Sequence, residues 1–308
     1  MQKLSLNDFR KALNPLFLDR LVKEYGIHIT DQIIRGFSED KSPIIRINTL
    51  KTDVRTIMNY LREKNIRYER IPFLENALII QNQNEKFFEN LDIYKKGEIY
   101  FQSISSQLPV IFLNPQSGEK ILDIAAAPGS KTTQLGIAMR NKGEIIANEL
   151  DKIRHERLKY NLEKQGITIA KTILGDGSKI GDQYPDYFDR VLVDVPCSAE
   201  GRINLNEPRS YGFWSEKNIK ENVKIQKKLL ESAIKSLRSG GFLLYSTCTL
   251  APDENEGMIT WATTTFPNVK VENISLGFKY QLPTIKGAIK AMPSKISEGF
   301  FVALLKKI

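Results

Sequence analysis

Apolar residues recur along this chain in two rhythms, and the change of rhythm divides it. In residues 1–40 the stretch FRKALNPLFLDRLVKEYG places its apolar positions at helical spacing, so helices are expected there. From Ile44 the pattern becomes IIRINTL, then DVRTIMNYLREKN behind a capping Asp53, then IRYERI and ALIIQN. Strand, helix, strand, strand in that order predicts a small α+β module at about 42–82. After Gly97 the segment EIYFQSISSQLPVIFL leads through a turn at Gly118 into the larger part.

From Lys120 the alternation becomes regular. Apolar runs of strand length stand at KILDIA, GEIIANE, AKTILGD, RVLVDVP and GFLLYST, with helix-like segments after each of the first four. The last of these, 216–238, puts Ile219, Val223, Leu230, Ile234 and Leu237 on one face and lysines largely around the others. Strands alternating with helices predict an α/β fold with a doubly wound, mostly parallel, Rossmann-like sheet. NVKVENI and EGFFVALLKKI follow without the same helical crossover, as an antiparallel edge would allow. The expected division is therefore 1–115, helices plus the small module, and 116–308, the larger α/β domain.

Composition narrows the class. No apolar run reaches the ~18 to 20 residues that a membrane span needs, and MQKLSLNDFRKAL has no apolar signal-type region, so a cytoplasmic location is expected. Two cysteines without a secretion signal are read as reduced thiols, and two histidines far apart, His28 and His155, suggest no metal site. The net charge of +9 is concentrated: nine Lys and Arg against four Asp and Glu in 201–239, and seven against two in 270–308. Localised positive charge suits a polyanionic partner, most simply nucleic acid, although a solvated lysine-rich surface has the same composition.

Ligands of open α/β sheets bind beyond the carboxyl ends of the strands, and each end here carries polar chemistry. The first strand runs into Asp123-Ile-Ala-Ala-Ala-Pro-Gly-Ser-Lys-Thr132, where small residues admit a ligand close to the backbone and Gly129-Ser130 opens a helix whose free N–H groups favour an anion. The second ends at Glu149, suited to accept from ribose hydroxyls. The third ends in Gly175-Asp176-Gly177, where Asp176 is placed to accept from an adenine amino group. Together these describe a nucleoside site. PGSKTT is not a phosphate loop of the G-x-x-x-x-G-K-[ST] kind, because Ser130 separates Gly129 from Lys131 and the turn has no upstream glycine. Both cysteines, Cys197 and Cys248, close strand-length apolar runs.

LDIAAAPGSKTTQL, ANELDKIRHERLKYNLEKQG, GDG, DRVLVDVPCSAEG, the lysine-rich helix, GGFLLYSTCTLAPDENEG and EGFFVALLKK, with IRINTLKT and GEIYFQSISSQLPV upstream, resemble the Sun/Nop family of S-adenosylmethionine-dependent RNA (cytosine-5) methyltransferases over roughly 42–308. The resemblance implies S-adenosylmethionine as cofactor. It makes Cys248 the nucleophile that adds to C6 of cytosine, Asp194 the acid at N3, Cys197 the group that assists release, and Lys131 an active-site lysine. The cofactor contacts it implies are Asp123, Ala126, Ala127, Pro128, Gly129, Ser130, Lys131, Glu149, Arg154, Asp176, Gly177, Asp194 and Pro196. The module at 42–82 resembles the family's RNA-recognition-like domain. The expected partner is RNA, rRNA or tRNA, with the target cytidine single-stranded or flipped out, and the expected state is a monomer. The Pro-x-x-x-x-Glu-Gly-Phe-Phe spacing leans to small-subunit rRNA; tRNA cytosine-5 methylation and non-catalytic RNA binding in ribosome assembly are the alternatives. Ser294 stands where many members have His, and the domain that several relatives append is expected to be missing. Backbone contacts are expected from Lys220, Lys224, Lys227, Lys228, Lys286 and Lys290, while Phe101 and Trp214 are read as packing residues.

Overall fold

The computed structural model describes residues 5–275 and 281–308. Two helices open it: α1 (Leu6–Ala12), started by a capping box between Ser5 and Asp8, and α2 (Pro15–Ser38), capped by Asn14 and broken at Gly26, whose φ of 74° lies in the left-handed region. Their apolar face, Leu13, Phe17, Leu21, Ile33, Ile34 and Phe37, is buried against Ile203, Leu205, Leu250 and Leu282. The helices therefore pack on loops of the large domain, although the sequence places the small module next to them.

The small module contains β1 (Ile44–Ile47), α3 (Val54–Glu63), β2 (Tyr68–Ile71) and β3 (Leu74–Ile80), followed by two one-turn helices, α4 (Glu85–Phe88) and α5 (Asp92–Lys95), and by β4 (Ile99–Phe101). Asp53 caps α3 as the pattern predicts, accepting from the Thr56 N–H. Ile57 and Leu61 of α3 cover Ile45, Ile47, Leu78 and Ile80. The sheet is antiparallel in the order β2-β3-β1-β4. Its fourth strand lies beyond the expected limit at residue 82. Only three residues long, it has no detectable period of its own and is held by its ladder to β1.

The large domain continues with α6 (Ile104–Leu113), β5 (Lys120–Asp123), α7 (Ser130–Ala138), β6 (Glu144–Glu149), α8 (Lys152–Gln165), β7 (Ala170–Leu174), α9 (Ile180–Gln183), β8 (Phe188–Asp194), α10 (Glu216–Ser236), β9 (Leu237–Thr247), α11 (Glu256–Thr265), β10 (Val269–Glu272), β11 (Gln281–Leu282), β12 (Ala288–Ala291) and β13 (Phe300–Lys307). The five predicted strands run parallel in the order β7-β6-β5-β8-β9, and β13 joins β9 antiparallel, with β12 and β10 paired to it. Alternate residues serve opposite faces. Val191, Val193, Leu243 and Tyr245 pack with Leu230 and Ile234 of α10, while Leu192 and Leu244 pack with Leu135 of α7 and Leu158 of α8. Each such buried aliphatic side chain contributes ~1.5–3 kcal/mol relative to exposure.

Two expectations shift. Leu237, assigned to the face of the lysine-rich helix, is the first residue of β9; the helix ends at Ser236. A further helix, α11, joins β9 to β10, where no crossover was expected. Its sequence, EGMITWATTT, is rich in β-branched residues, so local propensity disguises it, and burial of Met258, Ile259 and Ala262 holds it in place.

Candidate active site

The strand order turns at β5, whose neighbours β6 and β8 lie on opposite sides. A crevice beyond the carboxyl ends follows from that topology. It is present as a cleft of ≈ 590 Å³, bordered on the far side by the ends of β1 and β4 of the small sheet.

Helix α7 opens on this cleft. Gly129 is its N-cap at φ 100°, and a Cβ there would stand 3.0 Å from Leu158 Cδ1 of α8. Glycine is thus favoured by the left-handed backbone, and a Cβ would also press on the Leu158 side chain. With no side-chain cap on α7, the first-turn N–H groups are left for an anionic ligand.

Among the expected cofactor contacts, Ala127, Pro128, Ser130, Lys131, Arg154, Asp194 and Pro196 line the cleft. Asp123 lies behind it, 1% exposed, accepting from Thr132 Oγ1 at 2.7 Å. Burial pushes its carboxyl up to about 7, against the pull of the Thr132 hydroxyl. Ala126 is also buried. Glu149 accepts from the N–H groups of Ala127, at 3.2 Å, and Asp151, at 3.0 Å, and lies 3.7 Å from the Arg154 guanidinium. Arg154 in turn donates to the Ala127 carbonyl at 2.7 Å, so the end of β6 clamps the loop after β5. Asp176 is exposed and accepts from the Ser178 N–H at 2.9 Å; Gly177 is buried where a Cβ would meet Leu229.

The thiols meet. Asp194 and Ser246 are register partners in the parallel pair β8–β9, and Ser246 Oγ donates to Asp194 Oδ1 at 2.7 Å. Three residues past one and two past the other, Cys197 and Cys248 bring their Sγ atoms to 3.3 Å. The hydrogen bond with Cys248, followed by burial, pushes the Cys197 thiol well above its usual range. Cys197 therefore holds its proton more firmly than an ordinary thiol, and either sulfur can donate across the contact. Lys131 Nζ lies 2.7 Å from Asp194 Oδ2 and 3.2 Å from Ser106 Oγ. Burial opposes its charge, but the anionic neighbours, Asp194 foremost, together outweigh that and hold the ammonium above its usual range.

Further residues complete the site, most of them not singled out by the sequence. Glu254 accepts from the Ser198 N–H at 3.0 Å, from Gln226 Nε2 at 2.9 Å and from the Ser198 hydroxyl, fixing the residue after Cys197. Burial pushes its carboxyl up to about 7. Its signal was a carboxylate in TLAPDENEG, between an apolar strand and the next helix. Tyr100, Phe101, Gln102, Ser103 and Ser106 line the cleft from around β4 and α6, and Arg202 and Glu298 from loops of the large domain. Phe101 thus faces the cleft as well as packing on Phe88, at a centroid distance of 5.5 Å. Trp214 packs on Phe17 and donates to Glu200 Oε1 at 2.6 Å.

One expected RNA contact fails. Lys290 is 0% exposed, with Nζ 2.7 Å from Glu256 Oε1, 3.0 Å from Tyr25 Oη and 3.5 Å from Glu24 Oε1. Buried and paired, it cannot reach a phosphate. Lys220, Lys224, Lys228 and Lys286 are exposed, and Lys227 is half-buried over the Trp261 ring. Among the described residues, no group of three or more His, Cys, Asp and Glu is disposed to hold a metal, and no helix is long and apolar enough to cross a membrane.

A family-wide sequence profile described as 16S rRNA methyltransferase RsmB/F matches residues 110–306, which include both thiols and the large-domain side of the cleft. The chain belongs to the RsmB/F family. A second profile, for the ferredoxin-like domain of RsmF/B-like methyltransferases, matches residues 16–85. Among RsmB/F relatives, ribosomal RNA small subunit methyltransferase F of Escherichia coli O157:H7 (strain EC4115 / EHEC) is 36% identical over 272 residues, covering 85% of this chain and 56% of that protein. The chain thus spans about half the length of the curated relatives it matches. A methyltransferase homologue from Pyrococcus horikoshii superposes with a TM-score of 0.86 at 29% identity over 100% of both chains. NSun6 from Pyrococcus horikoshii, solved with SFG, shares the fold at a TM-score of 0.86 and 23% identity, over 97% of this chain and 99% of that one.

Proposed function

We propose that this RsmB/F-family chain methylates C5 of a cytidine in RNA, with S-adenosylmethionine as methyl donor and small-subunit rRNA as the favoured substrate. The carrying observation is the 3.3 Å approach of Cys197 and Cys248 beside the Lys131–Asp194 pair. The matched relatives' name, ribosomal RNA small subunit methyltransferase F, favours rRNA. In this reading residues 116–308 form the catalytic domain and 1–115 serve RNA, in a monomeric cytoplasmic enzyme.

The residues present suit the cofactor. The uncapped N-terminus of α7 would take a carboxylate, Glu149 would receive ribose hydroxyls, and Asp176 would accept from the adenine amino group. S-adenosylmethionine supplies an electrophilic methyl group on a sulfonium sulfur. The protein's share is to make C5 nucleophilic. The Cys248 thiolate, held by the Cys197 S–H, bonds to C6, and the ring charge that develops is met at N3 by the Lys131–Asp194 pair, which shares the proton delivered there. Once the Cys248 sulfur is bonded to carbon, Cys197 loses the acceptor that held its thiol up. It then gives its proton to water in the cleft more readily and, as a thiolate, takes the H5 proton. The C–H electron pair re-forms the C5–C6 double bond, Cys248 leaves C6 as a thiolate, and the N3 proton returns to the Lys131–Asp194 pair.

The two alanine variants should therefore fail differently. Cys248→Ala should form no adduct and no product. Cys197→Ala should still attack and methylate but stay bonded to the RNA, giving a denaturation-resistant conjugate that Cys197→Ala/Cys248→Ala lacks. A gel of each variant with substrate RNA and cofactor decides; turnover or a conjugate with Cys248→Ala would overturn the assignment. Bisulfite mapping of the wild-type product would identify the RNA.

A further inference from the structure

A second cavity lies on the small module, lined by Arg62, Asn65, Ile66, Arg67, Tyr68, Gln81 and Asn82. Nothing in the proposed chemistry uses it. Arg62 lies in the last turn of α3, Arg67 immediately precedes β2, which Tyr68 opens, and Gln81 and Asn82 follow β3. Both arginines are exposed, and the Arg62 guanidinium stands 5.9 Å from the Tyr68 ring centroid. The floor is tied together: Asn82 accepts from the Arg67 N–H at 2.8 Å and donates to the Asn65 carbonyl at 3.1 Å. The acidic Glu69, two residues past Arg67, is engaged by Gln81 Nε2 at 3.4 Å.

The sheet register relates this cavity to the cleft. Ile44 at the start of β1 pairs with Ile79 near the end of β3, Tyr68 at the start of β2 pairs with Ile80, and Ile45 pairs with Phe101 at the end of β4. The start of β2, the end of β3, the start of β1 and the end of β4 thus share one end of the sheet. There, β1 and β4 present Ser42, Gln102 and Ser103 to the cleft, while β2 and β3 present Tyr68, Gln81 and Asn82 to the second cavity. Three strand spacings, ~14 Å in all, separate β4 from β2.

We propose that this end of the small sheet is a track for single-stranded RNA flanking the target cytidine. In it, Arg62 and Arg67 hold phosphates and Tyr68, backed by the Arg62 guanidinium, stacks an unpaired base a few nucleotides from the cleft. The chemistry matches the occupant: paired guanidinium groups for phosphate, an aromatic face for any base, and amides at the rim. A flipped or unpaired target requires its neighbours to be held without reading a duplex, which a stacking platform does. The proposal rests on the RNA reading above and deepens it.

The test is fluorescence anisotropy of the whole chain with a labelled, unstructured 15-nucleotide RNA containing one central cytidine, across salt concentrations. Arg62→Ala/Arg67→Ala should bind at least tenfold more weakly and lower the salt slope by about 1.4, two phosphates at ~0.7 each. Tyr68→Ala should weaken binding about tenfold, without change of slope, and Tyr68→Phe should restore it. Arg62→Lys/Arg67→Lys should recover most of the affinity and all of the slope, which a merely structural defect would not. Arg55→Ala/Lys142→Ala removes the same charge from exposed positions at the start of α3 and before β6; it should bind as the parent does. Equal losses in that control, or unchanged affinity in Arg62→Ala/Arg67→Ala, would overturn the proposal. If such unchanged RNA binding came with lost binding to a polyglutamate peptide, the cavity would belong to an acidic protein partner instead. Because the readout needs no turnover, a parent that binds RNA without methylating it would sink the catalytic reading and leave this one testable. A parent that binds no RNA would sink both.

Discussion

Around the thiols, carboxylates of one residue type are given different work by burial and partners. Asp194 is paired with Lys131, whereas Asp123, one strand over and 1% exposed, is pushed up to about 7 chiefly by burial. An unfolded aspartate titrates near ~3.9, so the native protein binds the extra proton between roughly that value and about 7. The sign follows: the stabilisation is full below the unfolded value and is lost as pH rises through the folded one. Asp123 should make the protein less stable at pH 8 than at pH 5, by on the order of 2 kcal/mol. Asp123→Asn, which can still accept from Thr132, should flatten that difference in chemical denaturation; an unchanged pH dependence in the variant would exclude Asp123 as its source. At this scale the sequence exposes residues whose chemistry is rare at strand ends, namely Lys131, Asp194, Cys197 and Cys248. It hides Ser106, Ser246 and Glu254, ordinary residue types whose importance comes from the neighbour each one meets.

Elements were legible where period and punctuation agree. The five parallel strands and the Asp53 cap of α3 follow from local pattern, because alternation and capping are short-range effects. The three-residue β4 and the threonine-rich α11 were not, since each is selected by a partner element against weak or contrary propensity. Gly129 shows the two influences at one position. As a left-handed N-cap it exempts α7 from a backbone penalty of ~1–2 kcal/mol, and the missing Cβ leaves room for Leu158. Gly129→Ala should lower stability by that amount or more. It should also weaken S-adenosylmethionine binding severalfold in calorimetry, because the strain falls on the first turn that we assign to the cofactor. Unchanged affinity alongside a lower melting temperature would separate the turn from the cofactor site.

The whole molecule is held by contacts between segments distant in the chain. Arg46 on β1, fully buried, donates to the Ser130 carbonyl at 2.6 Å and to Thr133 Oγ1 at 2.8 Å, tying the small sheet to the first turn of α7. Lys290 on β12 pairs with Glu256 of α11 and Glu24 of α2, and so anchors the N-terminal helices. Truncating it leaves carboxylates without their cation, and breaking a buried pair costs ~3–5 kcal/mol. Lys290→Ala should therefore fall in denaturant midpoint by that order, while the folded variant keeps the parent's salt slope for RNA. A reduced slope in the folded variant would return Lys290 to the RNA surface. Taken alone, the sequence determined the doubly wound sheet, the polar strand ends and the paired cysteines, because periodicity, turn chemistry and rare reactive residues are properties of short stretches. Only the tertiary structure decided that the two thiols meet, that Glu254 steadies the loop of Cys197, that Lys290 is buried while Lys220, Lys224 and Lys228 are exposed, and that the small sheet's end faces the cleft. Those outcomes depend on strand register and on packing between segments far apart in the chain, where a residue's identity does not reveal which neighbour it will have.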